Sequence, residues 1–235
     1  MKISLVIPAY NEEKYISGCL ASVAEHGVEF HEVIVIDNAS TDRTAEVAGS
    51  FAGVRVVYEP AKGLTRARQR GLEEADGDII AFFDADTRMP AGWMAQATTM
   101  LADPKVVCIS GPYRYYDGPW LRNQIVHFLW WISYAPMYRI VGHMVAGANF
   151  AARKDALYAC GGFDRNIEFH GEDTDLSRRI AKHGKVIFRM SFYIYSSSRR
   201  YDAEGIVRTC ATYAINCLWQ LFFHRSLTKN HADIR

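Results

Sequence analysis

Two patterns of apolar positions alternate over the first ~110 residues. Short runs rich in Val and Ile, at residues 3–7, 32–36, 54–58, 78–83 and 106–109, predict β-strands of the kind found in a sheet covered on both faces. Amphipathic segments lie between them. After Asn11, a candidate N-cap, apolar Ile16, Cys19, Leu20 and Val23 recur at i, i+3, i+4 and i+7 up to Gly27, a candidate C-terminal stop. That spacing predicts a helix packed on the sheet. Alternation of strand and helix implies right-handed βαβ units and an α/β fold with a mostly parallel central sheet flanked by helices. Its ligand crevice lies beyond the carboxyl ends of the strands.

Two later stretches follow neither pattern. Residues 120–144 are crowded with aromatics but interrupted by Arg122, His127, Arg139 and His143, so they do not suit a bilayer span. Residues 206–223 predict a helix that is apolar almost all round, with Thr209, Thr212, Asn216 and Gln220 forming one narrow polar stripe. Protein can cover that surface, either the chain's own domain or a second copy in a homodimer, and so can a membrane surface. His224, Arg225 and Lys229 supply a basic flank for the second option.

Composition narrows the classes. The 235 residues are 49% hydrophobic and 23% charged, enough for one large α/β domain or one domain with a small extension. A net charge of +1 without a long basic block gives no footprint for nucleic acid, so an acidic ligand must be met by locally placed cations. The five cysteines are odd in number and scattered without metal-ligand spacing, so neither a disulfide framework nor a zinc site is indicated. The opening "MKISLVIPAYNEE" has too short an apolar run for a signal peptide, so a cytoplasmic site of action is expected.

Candidate chemistry concentrates where strands end. The first strand runs into Pro8, Ala9, Tyr10, Asn11 and Glu12, the second into Asp37–Asp42, and "IIAFFDADTRMP" ends its apolar run in Asp84 and Asp86. One such cluster is ordinary turn and cap chemistry, but three on one edge point to a binding site. Two carboxylates one residue apart at a buried strand end repel each other and are best tolerated with a cation between them. Hard oxygen ligands suit Mg2+ or Mn2+, which share their remaining positions with water and phosphate oxygens. No GxxxxGK[ST] or GxGxxG accompanies the first strand, which argues against P-loop and dinucleotide-binding enzymes. Instead "KGLTRARQRGLEEADGD" groups Lys62, Arg66, Arg68 and Arg70 around a predicted helix start, a candidate diphosphate site.

These blocks carry a resemblance. "VIPAYNEEKYISGCLASV", "EVIVIDNASTDRT", "GLTRARQRGLEEADGDIIAFFDADT", "GANFAARKDALYACGGFD" and "GEDTDLSRRIAKHGK" resemble, in order, the landmarks of the family-2 glycosyltransferases. The resemblance implies the GT-A nucleotide-diphospho-sugar transferase fold over residues 1–205. Residues 1–110 would form a nucleotide-binding half and residues 111–205 an acceptor-binding half, with residues 206–235 as a C-terminal helix and basic tail. It implies inverting, metal-dependent sugar transfer from a nucleotide diphosphate sugar. A UDP- or GDP-sugar donor, a glycan or lipid-linked acceptor in cell-envelope synthesis, and a position in the cytoplasm or peripherally on the inner face of the cell membrane are expected.

Carried over residue by residue, Pro8, Ala9, Tyr10, Glu12, Asp37 and Arg68 would bind the nucleotide. Asp84 and Asp86 match the DxD motif, Asp86 being the more direct ligand of Mn2+ or Mg2+ and Asp84 standing nearer the ribose. Gly147, Asn149 and Glu172 would contact donor sugar or acceptor, Asp173 would be the general base, and Asp175 would cap a helix. Where the family often has Asn after the arginine of the third block, this chain has Gln69. The QxxRW motif of processive synthases is missing, and "SSSRRYDAEG" stands in its place, so a single transfer per binding event is expected. A nucleotidyltransferase and a non-catalytic nucleotide-sugar-binding protein are the alternatives. The first would usually carry a glycine-rich loop after the first strand, and the second would need neither Asp173 nor a metal.

Overall fold

The computed structural model describes residues 1–27, 29–167 and 171–223. Its first half is β1 (Ile3–Ala9), α1 (Ile16–His26), β2 (Glu32–Asp37), α2 (Thr44–Gly49), β3 (Val54–Tyr58), α3 (Leu64–Glu74), β4 (Ile79–Phe83), β5 (Thr87–Arg88), α4 (Trp93–Leu101) and β6 (Val106–Ser110). Then come β7 (Tyr113–Tyr115) and α5 (Trp120–Leu129), which passes through a π-helical turn at Trp130–Tyr134 into α6 (Ala135–Val141). The remainder is β8 (Asn149–Arg153), α7 (Lys154–Ala159), α8 (Glu172–Ile180), β9 (Lys185–Phe188), β10 (Ile194–Ser196), α9 (Arg199–Glu204) and α10 (Ile206–Phe223). All five expected strands form, with ends within two residues of their expected positions.

Seven strands make the main sheet in the order β3-β2-β1-β4-β8-β6-β9, and β5-β10-β7 form a small second sheet. Only β8 runs against its neighbours in the main sheet, antiparallel to both β4 and β6. That reversal matters for the site. With Phe83 opposite Asn149, β8 begins at the edge where β4 ends, so the loop before it arrives beside Asp84. Successive residues of β1 serve opposite cores, as a pleated strand requires. Leu5 and Ile7 pack with Leu20, Phe83 and Trp93, whereas Val6 packs with Leu72, Phe82, Phe150 and Leu176. A third cluster gathers Val126, Trp130, Met144, Phe188 and Tyr201 beneath α5 and α6.

Helix α1 buries Ile16, Cys19, Leu20 and Val23 and stops at Gly27, as its spacing requires, but Asn11 is not its cap. The helix starts five residues later, and Asn11 has a left-handed backbone, φ 53°. Its side-chain Oδ1 accepts from the Thr41 N–H at 2.8 Å, tying the loops after β1 and β2 together. Ala39 in the second loop is also left-handed, φ 58°, a conformation that costs a residue with a β-carbon about 1–2 kcal/mol. The polar stripe of α10 faces inward: Thr209 and Asn216 are buried, whereas Val207 and Ile215 are exposed. Gln220 and the flank His224, Arg225 and Lys229 fall outside the side chains described.

Close approach of α3 to β1 depends on Gly71, where an added β-carbon would stand 2.2 Å from Val6 Cγ1. Val6 is fully buried and cannot swing away. Gly71→Ala should therefore destabilise the protein by about 1–3 kcal/mol in urea unfolding, although alanine is the better helix former. A gain in stability would contradict this packing.

Candidate active site

Arg68 is the buried centre of the strand-end edge, only 1% exposed. From α3 its Nη2 donates to Asp84 Oδ1 and to the Gly147 carbonyl, both at 3.0 Å, and its Nη1 donates to Glu172 Oε1 at 3.0 Å. One guanidinium thus joins the end of β4, the loop before β8 and the start of α8. Gly147 permits this approach, since a β-carbon there would stand 3.0 Å from Arg68 Nη2. Directly after β4, Asp86 meets a second cation. Arg199 Nε pairs with Asp86 Oδ2 at 3.0 Å, while its two terminal nitrogens grip Glu12 at 2.6 and 2.8 Å. Such a fork-to-carboxylate pair fixes orientation as well as charge.

Across the edge, Lys62 Nζ donates to the Tyr10 hydroxyl at 2.6 Å and lies over its ring. Asn38 fastens the loop before α3, accepting from the Gly63 N–H and donating to the carbonyls of Glu59 and Ala61. These groups line one cavity of about 890 Å³, which reaches from Pro8, Ala9 and Tyr10 past Asp84 and Asp86 to Glu172 and Asp173. The volume suits a ligand of nucleotide size.

The family model described as Glycosyl transferase family 2 matches residues 4–161, which contain β1, β2, β4 and the two acids of the edge. The chain belongs to glycosyl transferase family 2. It is 26% identical over 202 residues to the probable glycosyltransferase YdaM of Bacillus subtilis (strain 168), covering 78% of this chain and 47% of that protein. The chain spans less than half the length of the first curated relatives it matches. Among solved structures, the mannosyltransferase PcManGT from Pyrobaculum calidifontis, in complex with GDP-Man and Mn2+, superposes with a TM-score of 0.66 at 23% identity. The match covers 91% of this chain and 64% of that one. Glucosyl-3-phosphoglycerate synthase from Mycobacterium tuberculosis, with Mn2+, UDP and phosphoglyceric acid, gives 0.66 at 21%, covering 94% and 77%. The fold is GT-A.

Within this family-2 fold most of the expected site residues come together, and a few do not. Pro8, Ala9, Tyr10, Glu12, Arg68, Asp84, Asp86, Gly147, Glu172 and Asp173 all border the cavity. Asn149 does not. Its Oδ1 accepts from Trp93 Nε1 at 2.9 Å and its Nδ2 donates to the Gly111 and Phe192 carbonyls, so the side chain is consumed inside the core. Asp37 is also buried, accepting from the Ser40 N–H at 3.3 Å, and Asn38 is the neighbour on the cavity wall. Arg70 leaves the expected cationic cluster to pair with Glu74 one helical turn on. Asp175 is no cap but a buried anchor for Arg178 and Arg179 at 2.8 and 2.7 Å. Asp173 supplies helix-start chemistry instead, accepting from the Thr174 N–H at 2.7 Å. Arg199 was given no role in the sequence. Its signal was the arginine pair standing where the processive motif would be.

Burial raises the proton affinity of Asp86, Glu172 and Asp173. It pushes Asp86 up to about 7, with Arg199 pulling the other way and Asp84 and Glu12 pushing further. Glu172 is driven up to about 8 by burial and the adjacent Asp173 charge, against the pull of Arg68. Asp173 is raised as well, chiefly by burial. Asp84 and Asp86 fit a hard divalent ion: they are one residue apart on the cavity wall, and Asp86 holds its charge at a cost that a cation would relieve. Among the described residues no group of three or more His, Cys, Asp or Glu is disposed to hold an ion. Two acids match an ion that completes its coordination with ligand oxygens.

If Arg68 neutralises Asp84 and Glu172, its removal strands two acids in the site. Arg68→Met should cost about 3–5 kcal/mol in denaturant unfolding at pH 8. A change within about 1 kcal/mol, the scale of surface ion pairs, would show that the bridge carries little.

Proposed function

We propose that the chain is an inverting, metal-dependent glycosyltransferase. It moves a sugar from a UDP- or GDP-sugar to a glycan or lipid-linked acceptor in cell-envelope synthesis. The observation that carries the reading is the pairing of two acid sets in one cavity: Asp84 and Asp86 at the end of β4, and Glu172 and Asp173 at the start of α8. Support comes from the GDP-Man and Mn2+ bound by the Pyrobaculum enzyme and the UDP and Mn2+ bound by the mycobacterial one.

In this reading Pro8, Ala9 and Tyr10 hold the nucleoside with Asn38 beside them on the wall, and Asp84 and Asp86 would hold Mn2+ or Mg2+. The bound ion supplies Lewis-acid neutralisation of the departing diphosphate. Asp173 takes the proton from the acceptor hydroxyl as that oxygen attacks the anomeric carbon from the side opposite the diphosphate. Arg68 keeps Glu172 and Asp84 in fixed places beside each other on the cavity wall. Gly147 lines the sugar pocket with its backbone, while Asn149 stiffens the strand behind it. The exposed Val207 and Ile215 of α10 support a peripheral position on the inner face of the cell membrane. No described helix is long and apolar enough to cross a membrane.

Chelation should abolish turnover, and Asp86→Ala should reduce it at least ~100-fold, in the range for lost electrostatic stabilisation of a leaving group. Transfer that survives EDTA in metal-free protein would refute the ion's part. Asp173→Asn should lower kcat at least ~100-fold while leaving manganese-dependent binding of UDP or GDP in place.

The pH profile gives a separate check. A base works only when deprotonated, so kcat/KM should rise with pH through a limb above the usual carboxylate range, because burial raises Asp173. Asp173 carries its charge while Glu172 still holds its proton, up to about 8, so Glu172→Gln should leave this limb where it is. A limb that moves with Glu172→Gln would assign it to Glu172.

A further inference from the structure

The cavity does not end at the carboxylates. Beyond Gly147 and Tyr113 it continues into an arm walled by Val126, Trp130, Met144, Tyr201 and Ala214, between the α5–α6 segment and α10. Val126, Trp130, Met144 and Tyr201 belong to the third hydrophobic cluster, and Tyr113 meets Trp130 edge to face at 5.4 Å. From α10, Thr209 and Asn216 also line the cavity, but each donates to the carbonyl four residues back in the chain, so the arm offers chiefly hydrocarbon and aromatic surface.

The outer surface around this arm is also apolar. On the α5 segment Leu121, Ile125, Phe128 and Ile132 recur at i, i+4, i+7 and i+11 and face outward, Leu121 at 64% and Phe128 at 62% exposure. Trp120, Trp131 and Ile140 extend the patch along the same segment, and α10 adds Val207 and Ile215 from the other wall. Residues 120–141 contain Arg122, His127 and Arg139 but no Asp or Glu, and Arg139 and the Arg208 of α10 are exposed. Arg122 is paired with Asp202, so the exposed cations of the patch are Arg139 and Arg208. Apolar side chains, exposed tryptophans and these two arginines together match the headgroup layer of an anionic bilayer.

We infer that the acceptor is a lipid whose hydrocarbon chain lies in this arm. Its polar head then faces Asp173, and the outer faces of α5, α6 and α10 rest in the headgroup layer of the bilayer that carries it. The inference rests on the sugar-transfer reading and names its acceptor class. A water-soluble acceptor would require neither the apolar arm nor the apolar rim.

The test uses vesicles of phosphatidylglycerol and phosphatidylcholine containing a prenyl monophosphate with a diazirine at its chain end. The full chain should float with these vesicles, and Leu121→Glu/Phe128→Glu should reduce flotation at least ~10-fold, as expected for charges placed in an interfacial apolar face. Photolabels should map to peptides bearing Trp130, Met144 and residues 206–216. Flotation with labels only on the outer faces would overturn the chain site, and no flotation together with a concentration-dependent dimer would assign the patch to a second copy of the chain. A thermal shift with UDP or GDP and manganese is recorded on the same samples. Its loss would strike the sugar-transfer reading, whereas its retention without lipid labelling would strike only the lipid.

Discussion

A single buried guanidinium sets the terms for this site. Arg68 reaches from α3 to carboxylates on β4 and α8 and to a carbonyl before β8, so three segments far apart in sequence share one cation. Burying a charge costs several kcal/mol unless partners surround it, and two acids and a carbonyl oxygen satisfy that condition here. The constraint works in both directions. Asp84 and Glu172 can stand in the cavity because Arg68 is there, and Arg68 can be buried because they are.

The same economy repeats with Arg199, which lies between Glu12 and Asp86. A chain with a net charge of +1 has no excess of cations to spread over its surface, yet two arginines stand against the acids of one cavity. Asp86 and Glu172 still retain their protons more firmly than exposed acids, to about 7 and about 8, because burial outweighs the arginines. Such a site is built to accept further positive charge at one end and to take up a proton at the other. Both capacities arise from desolvation held in check by ion pairs, and both belong to the reaction proposed.

Much of the fold was legible because it rests on local pattern. The β1–β4 strands announce themselves through short Val and Ile runs, and α1 through its helical spacing. Neither β8 nor its direction was legible, because residues 149–153 stood out only as part of a family block and their strand partners lie far away in sequence. Asp84 and Asp86 stood out, since paired acids closing an apolar run need an explanation. Arg199 did not, because its partner Glu12 is 187 residues away. Arg68 drew notice as one of several phosphate-facing cations, but its burial among acids depends on tertiary contacts. Asn149 matched a family block by position, and position alone does not reveal that its amide turns inward to Trp93. The polar stripe of α10 was visible, but which side of it met the protein was not.

If Asp173 activates the acceptor hydroxyl against a sugar whose diphosphate is held at Asp84 and Asp86, transfer is a single displacement at the anomeric carbon. Proton NMR of the sugar first released or transferred from an α-linked UDP- or GDP-sugar with manganese, read before mutarotation, tests this most directly. A β-configured product at the earliest times is the predicted result. An α-configured product would mean that the configuration is retained, and would contradict Asp173 as the base of a single displacement.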